Sequence, residues 1–331
     1  MEYIQLNQTA LSVSPICLGT ASFGSGVTGP AVDRQLDLFL SLGGNFIDSA
    51  HVYGDWMNQG PGLSERLIGQ WLKERGGRDK LVISTKGAHP KLDGKGLPRM
   101  SRQEIEADLA GSLRGLGTDY IDLYFLHRDD EGRPVEEILA VLETARQQGR
   151  IRYYGCSNWS LRRIREAERA AKAGGYPGFV CNQLMWSLAE IDFDGVGDKS
   201  LQAMDGETYA DHRAREMNVM AFTSVARGYF SKLLSGQACP QAQAAPYQTE
   251  KNRRIAQWLS TERPAGYSVM DLCLLYFRAQ PFPAIPITGF SREEQLKEAL
   301  SAMEKPMPPS AAALFRMRDA WASKDAKDGM V

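Results

Sequence analysis

The feature that most constrains this chain is an alternation. Short runs rich in Val, Ile, Leu, Phe and Tyr are separated by longer amphipathic stretches, and the pattern occurs eight times. The short runs, read as strands, are ICLGT (16–20), FIDSA (46–50), LVISTK (81–86), IDLYFLH (121–127), IRYYGCSN (151–158), FVCNQL (179–184), VMAFTS (219–224) and AIPITG (284–289). Strands alternating with helical stretches imply crossover units and parallel pairing. AVDRQLDLFLSL (31–42), SERLIGQWLKE (64–74) and PVEEILAVLETARQQ (134–148) read as helices, and in the last of these Val135, Ile138, Leu139 and Leu142 share one face. Gly43-Gly44, Gly76-Gly77 and Gly149 follow helical runs, where a left-handed cap ends a helix. Eight such units fit in 331 residues, and no compositional boundary divides them. The expectation is an α/β chain forming one (β/α)8 TIM barrel over residues 1–331, ending in a helical tail at 306–331.

Apolar residues make up 43% and charged residues 24% of the chain, ordinary values for a protein with a packed core. Thirty-nine basic residues against forty acidic ones give a net charge of −1, which offers nothing to nucleic acid or an anionic membrane. The opening MEYIQLNQTALSVSP has no basic and apolar leader pattern, and no membrane-length apolar run follows, so a cytoplasmic location is expected. Cys17, Cys156, Cys181, Cys239 and Cys273 are odd in number and form no C-x-x-C pair. They are expected as reduced thiols. Helix-to-strand links are short (Gly149-Arg150, Met217-Asn218), whereas the links around 20–30, 52–63, 185–206 and 225–250 are long. Long loops after barrel strands mark the functional face. Within them GQACPQAQAAPYQTE (236–250) reads either as a mobile lid or as a passive surface loop.

The polar residues that end the apolar runs carry the chemistry. Asp48, Lys86, His127, Asn158 and Gln183, the last beside Asn182, sit at the ends of five consecutive strands, and Tyr53 follows Asp48 in DSAHVYG. In a barrel these groups converge on one rim. A free tyrosine ionises near ~10, and a neighbouring ammonium lowers that value; Lys86 is the candidate, with Asp48 as its carboxylate partner. His127 would orient a carbonyl oxygen, and the set becomes a proton donor to a developing alkoxide. Gly24-Ser25-Gly26-Val27-Thr28-Gly29 matches G-x-G-x-x-G, but its first glycine comes four residues after the strand ends at Thr20, too late for the tight dinucleotide turn. His51, Asp48, His127 and Asp129 could approach one another as metal ligands, yet no H-x-H or H-E-x-x-H pair is present and no metal is expected. Neither a G-x-S-x-G elbow nor a Walker loop occurs.

From Leu6 to Leu300 these residues resemble the aldo-keto reductases. LSVSPICLGTASFG resembles that family's N-terminal β-hairpin and first strand, NFIDSAHVYG its D-x-A-x-x-Y-G signature, VISTK its lysine strand, YIDLYFLH its histidine strand and GRIRYYGCSNWS its S-N strand. The resemblance implies a (β/α)8 barrel moving a hydride between NADPH, less often NADH, and a carbonyl or alcohol, with Asp48, Tyr53, Lys86 and His127 as catalytic tetrad. It implies that Gly19, Thr20 and Asp48 border the cofactor, that Ser157, Asn158 and Gln183 hold the nicotinamide carboxamide, and that Phe222 stacks on the ring. It implies that Thr223, Ser224, Val225, Arg227 and Gly228 line the pyrophosphate side, and Gly289, Ser291, Arg292, Gln295 and Glu298 the adenosine site. Ser224 replaces the family's usual proline and Ala299 its usual asparagine, while DWMNQGPGL (55–63) and HRDD (127–130) depart from its common patterns.

The reading is therefore a carbonyl reductase preferring NADPH through Arg292, although Glu293 and Glu294 lie close to that guanidinium. A cofactor-binding redox-sensor subunit and a metal-dependent barrel hydrolase are the alternatives. The expected partner is a small-molecule carbonyl compound, sugar- or cyclitol-derived. Trp56 and Trp186 are expected to stack on its ring, and His127, Asp129 and Asp130 to meet its oxygens.

Overall fold

The structure is a computed structural model and describes residues 1–320. Eight strands close in chain order into one parallel barrel: β3 (Cys17–Gly19), β4 (Phe46–Asp48), β5 (Val82–Gly87), β6 (Ile121–Leu126), β7 (Ile151–Ser157), β8 (Cys181–Met185), β9 (Asn218–Phe222) and β10 (Ala284–Thr288), with β10 returning to pair with β3. Each expected run overlaps one of these strands, so the (β/α)8 barrel is borne out. The eight helices that follow the strands are α1 (Pro30–Ser41), α2 (Leu63–Arg75), α3 (Arg102–Leu116), α4 (Val135–Gln147), α5 (Leu161–Gly174), α6 (Gly206–Arg215), α10 (Val269–Arg278) and α11 (Glu293–Glu304). Three further helices, α7 (Tyr229–Ser235), α8 (Gln241–Ala244) and α9 (Glu250–Thr261), occupy the link between β9 and α10. Of the expected tail at 306–331, α12 covers Ala311–Asp319, and 321–331 lie outside the described residues.

Local chemistry sets these boundaries. Ser101 caps α3 in a reciprocal box with Glu104, and Gly117, at φ 63°, ends the helix. Helix α4 buries Val135, Ile138, Leu139 and Leu142, the face its periodicity marks. Inside the barrel, strand alternation turns Cys17, Phe46, Val82, Leu123, Phe125, Cys181, Met220, Ile285 and Ile287 toward the axis, where they form one cluster. A hairpin of β1 (Ile4–Gln5) and β2 (Ser12–Val13) closes the lower end of this cluster with Leu6, Leu11 and Val13. Polar contacts fasten it there: the Asn7 amide donates to Asn218 Oδ1 at 2.7 Å and the Ser14 amide to Asn45 Oδ1 at 2.6 Å. With the lower end plugged, the opposite end is the open one, and it carries the long loops.

All five cysteines are free; Cys239 is half-buried and the other four are buried. The 236–250 segment is packed down at its centre, where Tyr247 is buried and the Asp192 amide donates to the Pro246 carbonyl at 2.7 Å. No described helix is long and apolar enough to cross a membrane.

Candidate active site

The alternation that turns Phe46, Val82, Leu123 and Phe125 inward also turns Asp48, Ser84, Lys86 and His127 inward, one step nearer the open end. Tyr53 comes back over them from the β4–α2 loop. Lys86 Nζ donates to Asp48 Oδ2 at 2.6 Å, to the Ser49 carbonyl at 2.6 Å and to Tyr53 Oη at 3.3 Å. Both members of the Lys86–Asp48 pair are buried. Asp48 Oδ1 accepts from Ser84 Oγ at 2.8 Å and from Gln183 Nε2 at 3.0 Å, which fixes the carboxylate. The His127 ring meets Tyr53 edge-on, with ring centres 5.9 Å apart. His127 Nδ1 is buried without a hydrogen-bond partner among the described residues, so Nε2 is the atom able to reach a ligand.

Burial opposes the charge on Lys86, but the Asp48 carboxylate and the Tyr53 hydroxyl outweigh it and hold the ammonium above the ordinary lysine value. Burial pushes the Tyr53 phenol above its ordinary value, and Lys86 pulls against that rise without cancelling it. The expectation that Lys86 brings the phenol below ~10 is thus corrected for the protein alone: desolvation wins. The outcome is a protonated donor with a cation beside it. Burial, with the positive charges of Lys86 and Arg128 and the neighbouring His89, drives His127 well below its ordinary value and keeps it neutral.

From Asp48 and Tyr53 a groove of about 800 Å³ runs outward past Gly19, Phe222, Thr223, Val225, Arg227 and Gly228 to Gly289, Ser291, Arg292 and Gln295. Its far end is the N-terminus of α11, where Gln295 Oε1 accepts from the Ser291 and Arg292 amides, and a helix start of this kind favours an anion. An elongated groove with a proton donor at one end and an arginine at a helix start at the other fits a dinucleotide. Ser224 does not line it. Its hydroxyl donates to the Ile287 carbonyl at 2.7 Å, tying the loop after β9 to β10 where the family's proline is missing. Thr20 is buried, donating to the Asp48 carbonyl. Ser157, Asn158 and Gln183 are buried beneath the centre, with Asn158 Nδ2 donating to the His127 carbonyl at 3.3 Å and to Ser157 Oγ at 3.0 Å. Glu298 is exposed on α11 and is not among the groove's walls. Gly26 and Val27 border the groove in a turn closed by the Gly24 amide on the Val27 carbonyl; Gly29 caps α1, but Gly24 comes five residues after β3 ends at Gly19, so there is no tight strand-to-helix fingerprint turn.

Three expected substrate contacts are corrected. Trp186 has no exposed surface: Gln183 points inward, so parity sends Leu184 and Trp186 outward, and the indole packs among Tyr209, Tyr276, Phe277 and Phe282. Asp129 is held by Arg163, with Nε on Oδ2 at 2.9 Å and Nη2 on Oδ1 at 3.2 Å, and Asp130 accepts from the Gly132 amide. The two aspartates form a turn clamped to α5. Trp56 stands at the rim, 48% exposed. The metal candidates are also dispersed: His51 lies on Glu65, Asp48 on Lys86 and Asp129 on Arg163.

The sequence motifs pass over Arg128 and His89. Arg128 donates to the His127 carbonyl at 2.8 Å, to Ser200 Oγ at 2.8 Å and to Asp198 Oδ2 at 3.1 Å, fastening the 185–206 loop across the rim. His89 lies in a fifth long strand-to-helix link, 88–101, whose length was the available signal.

The model of the Aldo/keto reductase family matches residues 15–317. The chain is 30% identical over 311 residues to "Uncharacterized oxidoreductase YrpG" of Bacillus subtilis, covering 92% of this chain and 91% of that one. It is 28% identical over 317 residues to norsolorinic acid reductase of Aspergillus flavus, covering 90% and 75%. Among solved structures, the holo form of aldo-keto reductase AKR11C1 from Bacillus halodurans superposes with a TM-score of 0.76 at 26% identity, over 98% of this chain and 99% of that chain.

Proposed function

From the premise that the chain belongs to the aldo/keto reductase family and is an NAD(P)H-dependent oxidoreductase, we propose that it reduces a sugar- or cyclitol-derived carbonyl compound with NADPH, using Tyr53 as proton donor. One observation carries the reading: a buried ammonium, held by Asp48 at 2.6 Å and touching Tyr53 Oη at 3.3 Å, lies at the inner end of a groove that ends at Arg292.

When bound, the nicotinamide supplies the hydride. As negative charge develops on the substrate oxygen, the Tyr53 hydroxyl gives up its proton to that oxygen, and the phenolate left behind faces Lys86. Asp48 keeps the lysine charged throughout and is itself fixed by Ser84 and Gln183. Neutral His127 offers an N–H to the carbonyl oxygen without competing for the Tyr53 proton. The nicotinamide end of the groove falls to Phe222, with Gly19 beside Asp48; Val225, Arg227 and Gly228 serve the pyrophosphate. Arg292 serves the 2′-phosphate, since a guanidinium matches phosphate bidentately. Of its two acidic neighbours, Glu293 is engaged by Arg34 at 2.9 Å, which keeps that carboxylate from competing for Arg292.

The test is turnover of a carbonyl panel with NADPH and with NADH. The reading expects reduction of polyhydroxylated carbonyls with NADPH favoured. Absence of any turnover with either nucleotide contradicts it.

A further inference from the structure

His89, three residues beyond Lys86, is held against the reaction centre by residues distant in sequence. The chain leaves β5 through Ala88 at φ 60°, a conformation that a residue with a Cβ adopts only where its surroundings enforce it. Helix α3 supplies the enforcement. The Ala88 amide donates to Asp108 Oδ2 at 2.9 Å, and Arg99 grips both oxygens of Asp108 at 2.9 Å while donating to the His89 carbonyl at 3.1 Å.

The imidazole so placed meets His127 edge-on, with ring centres 4.7 Å apart. Its Nδ1 lies 2.7 Å from the Pro90 carbonyl, which can only accept, so Nδ1 carries the proton and Nε2 the lone pair. Burial and the nearby guanidiniums of Arg128 and Arg99 keep the ring below the ordinary histidine value, hence neutral. Nε2 has no hydrogen-bond partner among the described residues, and His89 lines a cleft.

That cleft, of about 350 Å³, begins at Lys86, Gly87 and His89 and runs outward past His51, Asp55 and Trp56. His51 turns Nδ1 to the buried Glu65 carboxylate at 2.9 Å, which can only accept, so Nδ1–H donates and Nε2 of the neutral ring carries the lone pair. Asp55 keeps one oxygen after accepting from the Gly62 amide at 3.1 Å. Acceptors on His89, His51 and Asp55 beside the Trp56 indole suit the donating hydroxyls of a hydroxylated chain or ring.

We propose that His89 determines specificity by accepting a hydrogen bond from a hydroxyl on the carbon next to the substrate carbonyl, while His127 holds the carbonyl oxygen. The cleft beyond then takes the rest of a polyhydroxylated chain. This rests on the reductase reading of the same site. Two oxygens on adjacent carbons match two imidazole nitrogens on adjacent rings, and a methyl in place of the hydroxyl leaves the His89 lone pair desolvated and unpaired.

The experiment measures kcat/KM for two matched pairs, hydroxyacetone against butanone and glyceraldehyde against 2-methylbutanal, in which methyl groups replace hydroxyls. The wild type is expected to favour the hydroxylated member by at least about tenfold. His89→Leu should narrow that ratio to within about threefold, and His89→Gln, which restores an acceptor oxygen, should recover part of it. A wild-type ratio near one, or an unchanged ratio in His89→Leu, overturns the assignment; the wild-type ratio and His89→Gln decide even where His89→Leu is too unstable to assay. Turnover of none of the four compounds with either nucleotide overturns the reductase reading itself.

Discussion

Replacing Lys86 with methionine separates what the buried ammonium does for folding from what it does for chemistry. In the wild type Asp48 Oδ2 has Lys86 at 2.6 Å, and both side chains are nearly inaccessible, 1% and 2%. Methionine fills similar volume but leaves a carboxylate in the barrel without its counter-charge. Removing one partner of a buried pair costs about 3–5 kcal/mol. The lower end of that range applies, because Asp48 Oδ1 retains Ser84 and Gln183. With unfolding entropy near ~2.1 cal/mol/K per residue, 331 residues give ~0.7 kcal/mol/K, so 3 kcal/mol lowers Tm by about 4 °C. The double variant Asp48→Asn, Lys86→Met removes the stranded charge and should melt above Lys86→Met. Activity should fall in both, by ~10²–10⁴-fold in kcat, since the phenol loses the cation that donates to it. Calorimetry and steady-state assays read the two effects separately. A Lys86→Met protein melting within a degree of wild type, or a double variant less stable than the single one, would refute the claim that Asp48 depends on this counter-charge.

Two further predictions concern the ends of the site. Arg292→Ala should raise the Kd for NADPH by at least about tenfold while leaving NADH within about twofold, because only NADPH carries the phosphate that the guanidinium meets; equal losses by titration would remove Arg292 from that role. His127 is held neutral well below the ordinary histidine pKa, so kcat/KM for reduction should show no inflection between pH 6 and 7, values that bracket the ordinary ~6.5. Because the unfolded chain takes up that proton first as pH falls, His127 lowers stability below about pH 6.5. Urea melts at two pH values should therefore show a steeper acid loss in wild type than in His127→Gln, and equal losses would contradict the buried neutral ring.

The barrel and the convergence of Asp48, Lys86 and His127 at its open end were legible in the sequence because both arise from period and parity. A strand that buries Phe46 inward must deliver Asp48 inward two residues later, and the same step carries Ser84 to Lys86 and Phe125 to His127. Trp186 shows the error made when parity is set aside: once Gln183 points at Asp48, position 186 faces the helices, and an aromatic near the rim becomes part of the outer core. Asp129 was unreadable for a different reason. Its partner Arg163 lies 34 residues away on α5, and an exposed-looking aspartate two residues after His127 carries no local sign of such a clamp. His89 shares that cause, since the Asp108–Arg99 grip that aims it is a contact between a helix and an irregular loop.

The central claim is that Tyr53 gives the proton as hydride reaches carbon. Phenylalanine at this position keeps the ring and removes only the hydroxyl, so packing and NADPH affinity should survive. Stopped-flow measurement of hydride transfer from bound NADPH to substrate in Tyr53→Phe tests it directly. The account predicts a rate lower by at least ~10²-fold at unchanged NADPH affinity. Transfer at the wild-type rate would mean that another group protonates the substrate oxygen, and would contradict the mechanism.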